Sequence, residues 1–172
     1  MRGLLIGLAL ALVGPAAWAQ TQQQRDWCDS PTATDDQTID GCTAQIQSGR
    51  ATTANQAIEY YNRAYAYDNK ALYDQALADY NQSIALNPNS ADTYHNRGVS
   101  YRHKGLYDLA IADFTRAIAL KPDYPLAYKN RGLAYENKGF HDPAIADYRA
   151  ALNLDPNMQA ARDGLTRLGA TP

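Results

Sequence analysis

The sequence predicts an all-α fold, a solenoid of stacked antiparallel helix pairs, and two observations carry that prediction. An Xaa-Pro pair recurs at Asn87-Pro88, Lys121-Pro122 and Asp155-Pro156, with successive prolines 34 residues apart. Within that period the columns match in class: Tyr60, Tyr94 and Tyr128; Asn62, Asn96 and Asn130; Arg63, Arg97 and Arg131; Ala64, Gly98 and Gly132; Tyr67, Tyr101 and Tyr135; Asp79, Asp113 and Asp147; Tyr80, Phe114 and Tyr148. Composition bias cannot hold so many classes in one register. A fixed period of this length marks an array in which each repeat is one supersecondary unit.

The middle repeat shows how one unit is built. Ser90 can cap an incoming helix, Tyr94, Gly98 and Tyr101 fall at helical spacing, and Gly105 supplies a left-handed stop. A second helix follows with Asp108 in its first turn, where the macrodipole favours an anion, and ends at Leu120 before Lys121-Pro122. Gly98 lacks a β-carbon, so the second helix is expected to pack close to it at Ala110. One pair alone cannot bury its apolar face; stacking on neighbours closes the core.

Counting back from each proline gives repeats at 57–90, 91–124 and 125–158. The pattern resembles the tetratricopeptide repeat family, with aromatic-x-x-small-Gly-x-x-Tyr in the first helix, Ala-x-x-x-aromatic-x-x-Ala in the second, and Pro closing the unit. The resemblance implies a right-handed superhelical solenoid whose concave groove is lined by the first helix of each pair.

The flanks are expected to cap the array. Run backwards, the 34-residue grid places Cys42 in the column of Ala76, and Ile39, Cys42 and Ile46 share one face of a helix over 35–48. Residues 20–56 thus read as an N-terminal segment and capping helix, its partner helix broken by Ser30-Pro31. Cys28 and Cys42 are the two cysteines of the chain, and a disulfide between them would tie that irregular segment to the helix. Such a bond is worth about 3 kcal/mol in the chain-entropy model. At the other end, residues 159–172 supply a C-terminal capping helix and tail, with a helix reading over 157–168, Leu165 and Leu168 facing the last repeat, and Arg162, Asp163 and Arg167 facing water. With both ends covered, a finite monomer is expected.

Residues 1–19 carry one basic residue, Arg2, an apolar run from Leu4 to Val13, and the small-residue pattern Ala17-Trp18-Ala19. This reads as a secretory signal peptide cut after Ala19. The apolar run is too short for a spanning helix, so no stable membrane insertion is expected after cleavage. Cys28 follows Arg25-Asp26-Trp27 rather than the small apolar residues that precede a lipidated cysteine. A periplasmic or secreted location in a bacterial envelope is expected.

Function classes narrow quickly. A formal charge of −2 with no basic run argues against nucleic acid. The histidines, His95, His103 and His141, are isolated, and no phosphate loop, nucleophile elbow or Cys-x-x-Cys occurs, so neither catalysis, a metal nor a cofactor is expected. Arg63, Arg97 and Arg131 recur with Asp79, Asp113 and Asp147, which suggests ion pairs between helices. Exposed pairs of that kind would contribute about 0–1 kcal/mol each.

The function expected is therefore binding of an extended peptide or partner protein. By the resemblance, the inner face carries Ile58, Tyr61, Asn62, Tyr65, Asp68 and Asn69, then Asp92, His95, Asn96, Val99, Arg102 and His103, then Leu126, Lys129, Asn130, Leu133, Glu136 and Asn137. The groove proper is assigned to Tyr61, Asn62, Tyr65, His95, Asn96, Val99, Lys129, Asn130 and Leu133. Asn62, Asn96 and Asn130 form a ladder that resembles the asparagine ladder of O-linked GlcNAc transferase; such amides hold a peptide backbone or, equally, bridge neighbouring helices. The carboxylate clamp of heat-shock co-chaperones wants Lys and Asn where this chain has Tyr61 and Tyr65, and basic residues where it has Leu126 and Asn130. An acidic C-terminal peptide is not the ligand that pattern predicts. The alternative to groove binding is an array that associates with copies of itself through its convex or end surfaces.

Overall fold

A computed structural model describes residues 26–171. The signal-peptide reading falls outside that range. From residue 35 onward the chain forms eight helices: α1 (Asp35–Ser48), α2 (Thr53–Asn69), α3 (Tyr73–Leu86), α4 (Ala91–His103), α5 (Tyr107–Leu120), α6 (Pro125–Asn137), α7 (His141–Leu154) and α8 (Gln159–Arg167). Each packs on the next, and the first helices of successive pairs also touch, α2 on α4, α4 on α6 and α6 on α8. The result is an all-α solenoid of three antiparallel pairs, α2/α3, α4/α5 and α6/α7, with α1 before them and α8 after. Among the described residues no helix is long and apolar enough to cross a membrane.

Helix ends follow local chemistry. Thr34 and Gln37 form a reciprocal capping box at α1, and Ser90 Oγ accepts from the Thr93 amide at the start of α4. The helix α2 starts at Thr53, four residues before the boundary inferred from the period, because Thr52 caps it by accepting from the Asn55 amide. Pro125 stands at the first turn of α6, where its missing N–H costs nothing. The turns inside the second and third pairs use Gly105 (φ 73°) and Gly139 (φ 77°), whereas the first pair places Ala71 there at φ 57°.

Each pair closes over one aromatic side chain. Tyr80, Phe114 and Tyr148 are fully buried, and each faces the small residue of its partner helix: Ala64, Gly98 and Gly132. A β-carbon on Gly98 would lie 2.8 Å from Phe114 Cε1. The glycine therefore admits the Phe114 ring rather than bringing in Ala110 as expected, because the ring reaches across the interface and the Ala110 methyl does not. Tyr148 is held from two sides, since Gly132 and Gly164 of α8 would place β-carbons 3.1 and 2.4 Å from its ring. Leu165, completely buried, and Leu168 complete that contact. Arg167 does not simply face water: it makes a double hydrogen bond to Glu136.

The repeated Arg–Asp pairs are bidentate and largely buried, which corrects the expectation of exposed bridges. Arg63 binds Asp79 at 2.7 and 2.9 Å, Arg97 binds Asp113 at 2.7 and 2.7 Å, and Arg131 binds Asp147 at 2.8 and 2.8 Å. The aspartate side chains are 7–9% exposed. The reason is that Tyr60, Tyr94 and Tyr128 lie against the guanidinium groups, at 5.6, 5.5 and 5.7 Å, and shield them from solvent. The free Nη1 of each arginine reaches back to the preceding repeat, to Thr43, Asn81 and Thr115. One side chain thus joins both helices of its own pair to the previous one.

Candidate functional site

The first helices α2, α4 and α6 lie side by side, so residues 34 or 35 apart in sequence meet on one face. There Asn96 Nδ2 donates to Tyr61 Oη at 2.9 Å, and His95 Nδ1–H donates to Asn96 Oδ1 at 2.9 Å. On the far side of the imidazole, Asn130 Nδ2 donates to His95 Nε2 at 2.8 Å, while Lys129 Nζ donates to Asn130 Oδ1 at 2.7 Å. The five side chains form an unbroken relay across all three repeats. It is self-consistent with one neutral His95 tautomer, protonated at Nδ1.

Burial pushes the His95 pKa below its ordinary value, and the Lys129 charge adds to that effect. His95 is 7% exposed, flanked by the rings of Tyr124 and Phe114 at 4.9 and 5.7 Å. It was expected to line the groove; its neighbour relations make it a wall of the interface between repeats instead.

The asparagine ladder has partners within the chain at every rung. Asn62 Nδ2 donates to the Cys28 carbonyl at 3.0 Å and to Asp29 Oδ1 at 3.3 Å; Asn96 and Asn130 are taken by the relay. Asn130 is 5% exposed. Of the two roles open to the ladder, bridging neighbours is the one its amides perform in this structure.

Cys28 and Cys42 are joined by a disulfide, and this places the segment 28–33 against the N-terminal end of the inner face. A cleft of about 370 Å³ lies there, between that segment and Asn62, Tyr65, Ala66 and Asn69 of α2. At the opposite end a cleft of about 500 Å³ is lined by Lys129, Leu133, Glu136 and Asn137 of α6, by Tyr148, and by Arg167 of α8. Between them a small cavity of about 140 Å³ is lined by Ile58, Tyr61, Asp92 and Thr93, among others.

What stays open on this face is mixed: Asn69, Asp92, His103 and Asn137 are exposed, and beside them stand large apolar side chains. Ile58 is 52% exposed, Tyr65 50% and Leu126 45%. Val99 and Leu133 are half-buried, Val99 against the cluster of Ala110, Phe114 and Ala134. Among the described residues no group of three or more His, Cys, Asp and Glu is arranged to hold a metal. The sequence signalled Tyr61, Tyr65 and Leu133 as groove positions, but not the role of residues 28–33 in closing its end. The single signal for that was Cys28.

Residues 73–105 and 100–139 match the family described as TPR repeat, and residues 125–158 match the one described as tetratricopeptide repeat, together spanning half of the chain. No curated protein matches in sequence. Among solved structures, the Arabidopsis OM64 TPR domain is 26% identical with a TM-score of 0.68, over 69% of this chain and 98% of that one. The second TPR domain of human RPAP3, in complex with the HSP70 peptide SGPTIEEVD, is 28% identical with a TM-score of 0.66, over 70% of this chain and all of that one. The first TPR of Spaghetti (RPAP3), bound to the HSP90 peptide SRMEEVD, is 26% identical with a TM-score of 0.66, over 67% and 92%.

Proposed function

From the premise that this chain belongs to the tetratricopeptide repeat family, a family of protein–protein interaction modules, we propose that it is an exported adaptor of the bacterial envelope that holds an extended segment of a partner protein along α2, α4 and α6. The observation that carries this reading is the exposure of Ile58, Tyr65 and Leu126 on the inner face. Stacking of the repeats does not need those side chains, and large apolar groups left open on a concave face are what a ligand covers. The solved relatives that are bound to peptides support a peptide or protein partner. Their peptides end in acidic residues, whereas Tyr61, Tyr65, Leu126 and Asn130 stand here at the clamp positions, so a different ligand sequence is expected.

Export is supported by the apolar run from Leu4 to Val13 and by the pairing of Cys28 with Cys42. Intact mass of protein recovered from the envelope tests both, and should give a chain starting at Gln20 without free thiols. A mass retaining Met1, or two titratable thiols, would count against export. For the groove, the test is pull-down from the envelope fraction with wild type and with Ile58→Ser/Tyr65→Ser/Leu126→Ser. Partners retained equally by both would place binding elsewhere.

A second reading, self-association through an outer surface, is favoured by one feature. Leu72, Leu106 and Phe140 occupy equivalent turns and are 36, 42 and 48% exposed. Sedimentation of the purified chain decides it: a concentration-dependent dimer lost in Leu106→Ser/Phe140→Ser would establish that use.

A further inference from the structure

Position 59 breaks the repeat. In its column the second and third repeats place Thr93 and Ala127, and all three residues are buried. Stacking asks for a small, uncharged side chain there, and the first repeat supplies a carboxyl instead. Glu59 is 5% exposed, and its Oε2 has no hydrogen-bond partner. An acid taken out of water in that state is costly, so fold stability does not account for it.

Glu59 lines a cleft of about 250 Å³ together with Asp29, Gln45, Asn55 and Ile58. Asp29 is exposed and fixed from two sides: the disulfide ties the adjacent Cys28 to α1, and Asn62 Nδ2 donates to Asp29 Oδ1 at 3.3 Å. Among the described residues neither carboxyl has an ion pair. The cleft is continuous with the inner face, because Ile58 also lines the cavity of about 140 Å³ and Asp29 also lines the N-terminal cleft of about 370 Å³. Those two neighbours add Asp92 and Asp35. Among the described residues no Lys or Arg lines any of the three, whereas the C-terminal cleft has Lys129 and Arg167. The N-terminal half of the groove therefore presents charge of one sign, next to the open side chain of Ile58.

We infer that Glu59 and Asp29 form a cation-receiving subsite at the N-terminal end of the inner face, which takes the charged head of one Lys or Arg side chain in the partner's extended segment. The inference rests on the groove reading and narrows it. The apolar stem of the incoming side chain lies along Ile58, and its head supplies the unpartnered Glu59 oxygen with a donor and Asp29 with a counter-charge. A side-chain cation fits better than a metal ion, since among the described residues no third His, Cys, Asp or Glu joins these two acids to hold one. The ligand needs no free terminus.

The test uses the full mature chain and an immobilised library of randomised dodecapeptides with blocked termini. The expected result is enrichment of peptides with one Lys or Arg at a fixed distance from an apolar residue. Replacing that base by Gln or Met in the peptide should weaken binding by about tenfold or more, and raising salt should weaken the parent peptide. Glu59→Gln and Asp29→Asn should reproduce the loss and remove the difference between basic and neutral peptides. Because the peptide-side substitution needs no protein variant, the conclusion survives a variant that folds poorly. Peptides that bind without preference for a base, or whose preference persists in both variants, overturn the subsite and leave the groove reading standing. A library from which nothing is retained overturns both.

Discussion

Asn130 Nδ2 donates to His95 Nε2 at 2.8 Å, which holds a buried imidazole of the second repeat as a neutral acceptor toward the third. A proton on Nε2 would face the Asn130 amide hydrogens, and Asn130 cannot simply turn over because Oδ1 accepts from Lys129. Repeat stacking at this point therefore depends on an uncharged histidine. The groups around it are Asp92, Asn96, Lys129 and Asn130, with the rings of Phe114 and Tyr124.

The pH dependence follows with a definite sign. Burial holds the folded pKa of His95 below its ordinary value, so as pH falls below about 6.5 the unfolded chain takes up the proton first. Stability attributable to this site is complete above that pH and is lost as pH falls toward the folded pKa, with a slope of up to about 1.4 kcal/mol per pH unit. Urea unfolding at pH 7 and pH 5 should show a fall that is smaller in His95→Gln. Equal falls in both proteins would remove His95 from the account.

The Arg–Asp bridges separate buried from exposed ion pairs within one molecule. Asp113 is 8% exposed and bidentate, whereas Asp74 is 82% exposed in its pair with Lys104. Asp113→Ala leaves the Arg97 guanidinium unpaired beneath Tyr94 and should cost about 3–5 kcal/mol. Asp74→Ala should cost about 0–1 kcal/mol. Chemical denaturation of the two variants checks the ordering, and similar losses would mean that the shielding tyrosines do not lower the local dielectric.

The first inter-helix turn carries a correctable strain. Ala71 sits at φ 57° where the other two repeats have Gly105 and Gly139. A Cβ in the left-handed region costs about 1–2 kcal/mol, partly offset by the entropy that Gly adds to the unfolded chain. Ala71→Gly should therefore raise stability by up to about 1 kcal/mol, and Gly105→Ala should lower it by about 1 kcal/mol or more. Thermal melts that move together, rather than in opposite directions, would contradict this.

Close packing at the aromatic plugs gives a graded series. A β-carbon at Gly98 would lie 2.8 Å from the buried Phe114 ring, and at Gly164 it would lie 2.4 Å from a Tyr148 ring already backed by Gly132. Gly98→Ala should cost about 1–3 kcal/mol and Gly164→Ala at least as much, releasing α8. Phe114→Ala should cost about 3–5 kcal/mol through lost burial and a cavity. Hydrogen exchange of residues 159–167 reports the release of α8, and unchanged protection there would refute it.

Much of this was legible in the sequence because repetition multiplies weak signals. One Arg and one Asp sixteen residues apart mean little; three such pairs in register place a guanidinium and a carboxylate on facing helices. The columns Tyr80, Phe114 and Tyr148 and Ala64, Gly98 and Gly132 were visible for the same reason, but the spacing set Gly98 against Ala110, and the reach of the Phe114 ring to it was not legible. What escaped was whatever breaks the period. His95 aligns with Tyr61 and Lys129, and only in three dimensions do those three residues share a relay with Asn96 and Asn130. Gly164 lies beyond the last closing proline and has no column to announce it. Burial of the Arg–Asp pairs was missed because it depends on Tyr60, Tyr94 and Tyr128 folding over them, and sequence spacing carries no solvent exposure.

The asparagine ladder yields the last prediction, and the geometry alters what it should show. An amide free on the groove would contribute to binding and little to stability. Asn96, however, joins Tyr61 to His95, and Asn130 joins His95 to Lys129. Asn96→Ala should therefore lower stability, by about 0.5–1.5 kcal/mol for the bonds lost, and Asn130→Ala by more because it strands a buried imidazole nitrogen. Binding by either variant, measured well below its melting temperature against a peptide selected on the wild type, should change by less than about threefold, a difference under about 1 kcal/mol. Ile58→Ser and Tyr65→Ser should show the reverse pattern, with weaker binding at nearly constant stability. If the asparagine variants instead keep their stability and lose the peptide, the amides leave the relay when ligand arrives, and the ladder is the binding surface after all.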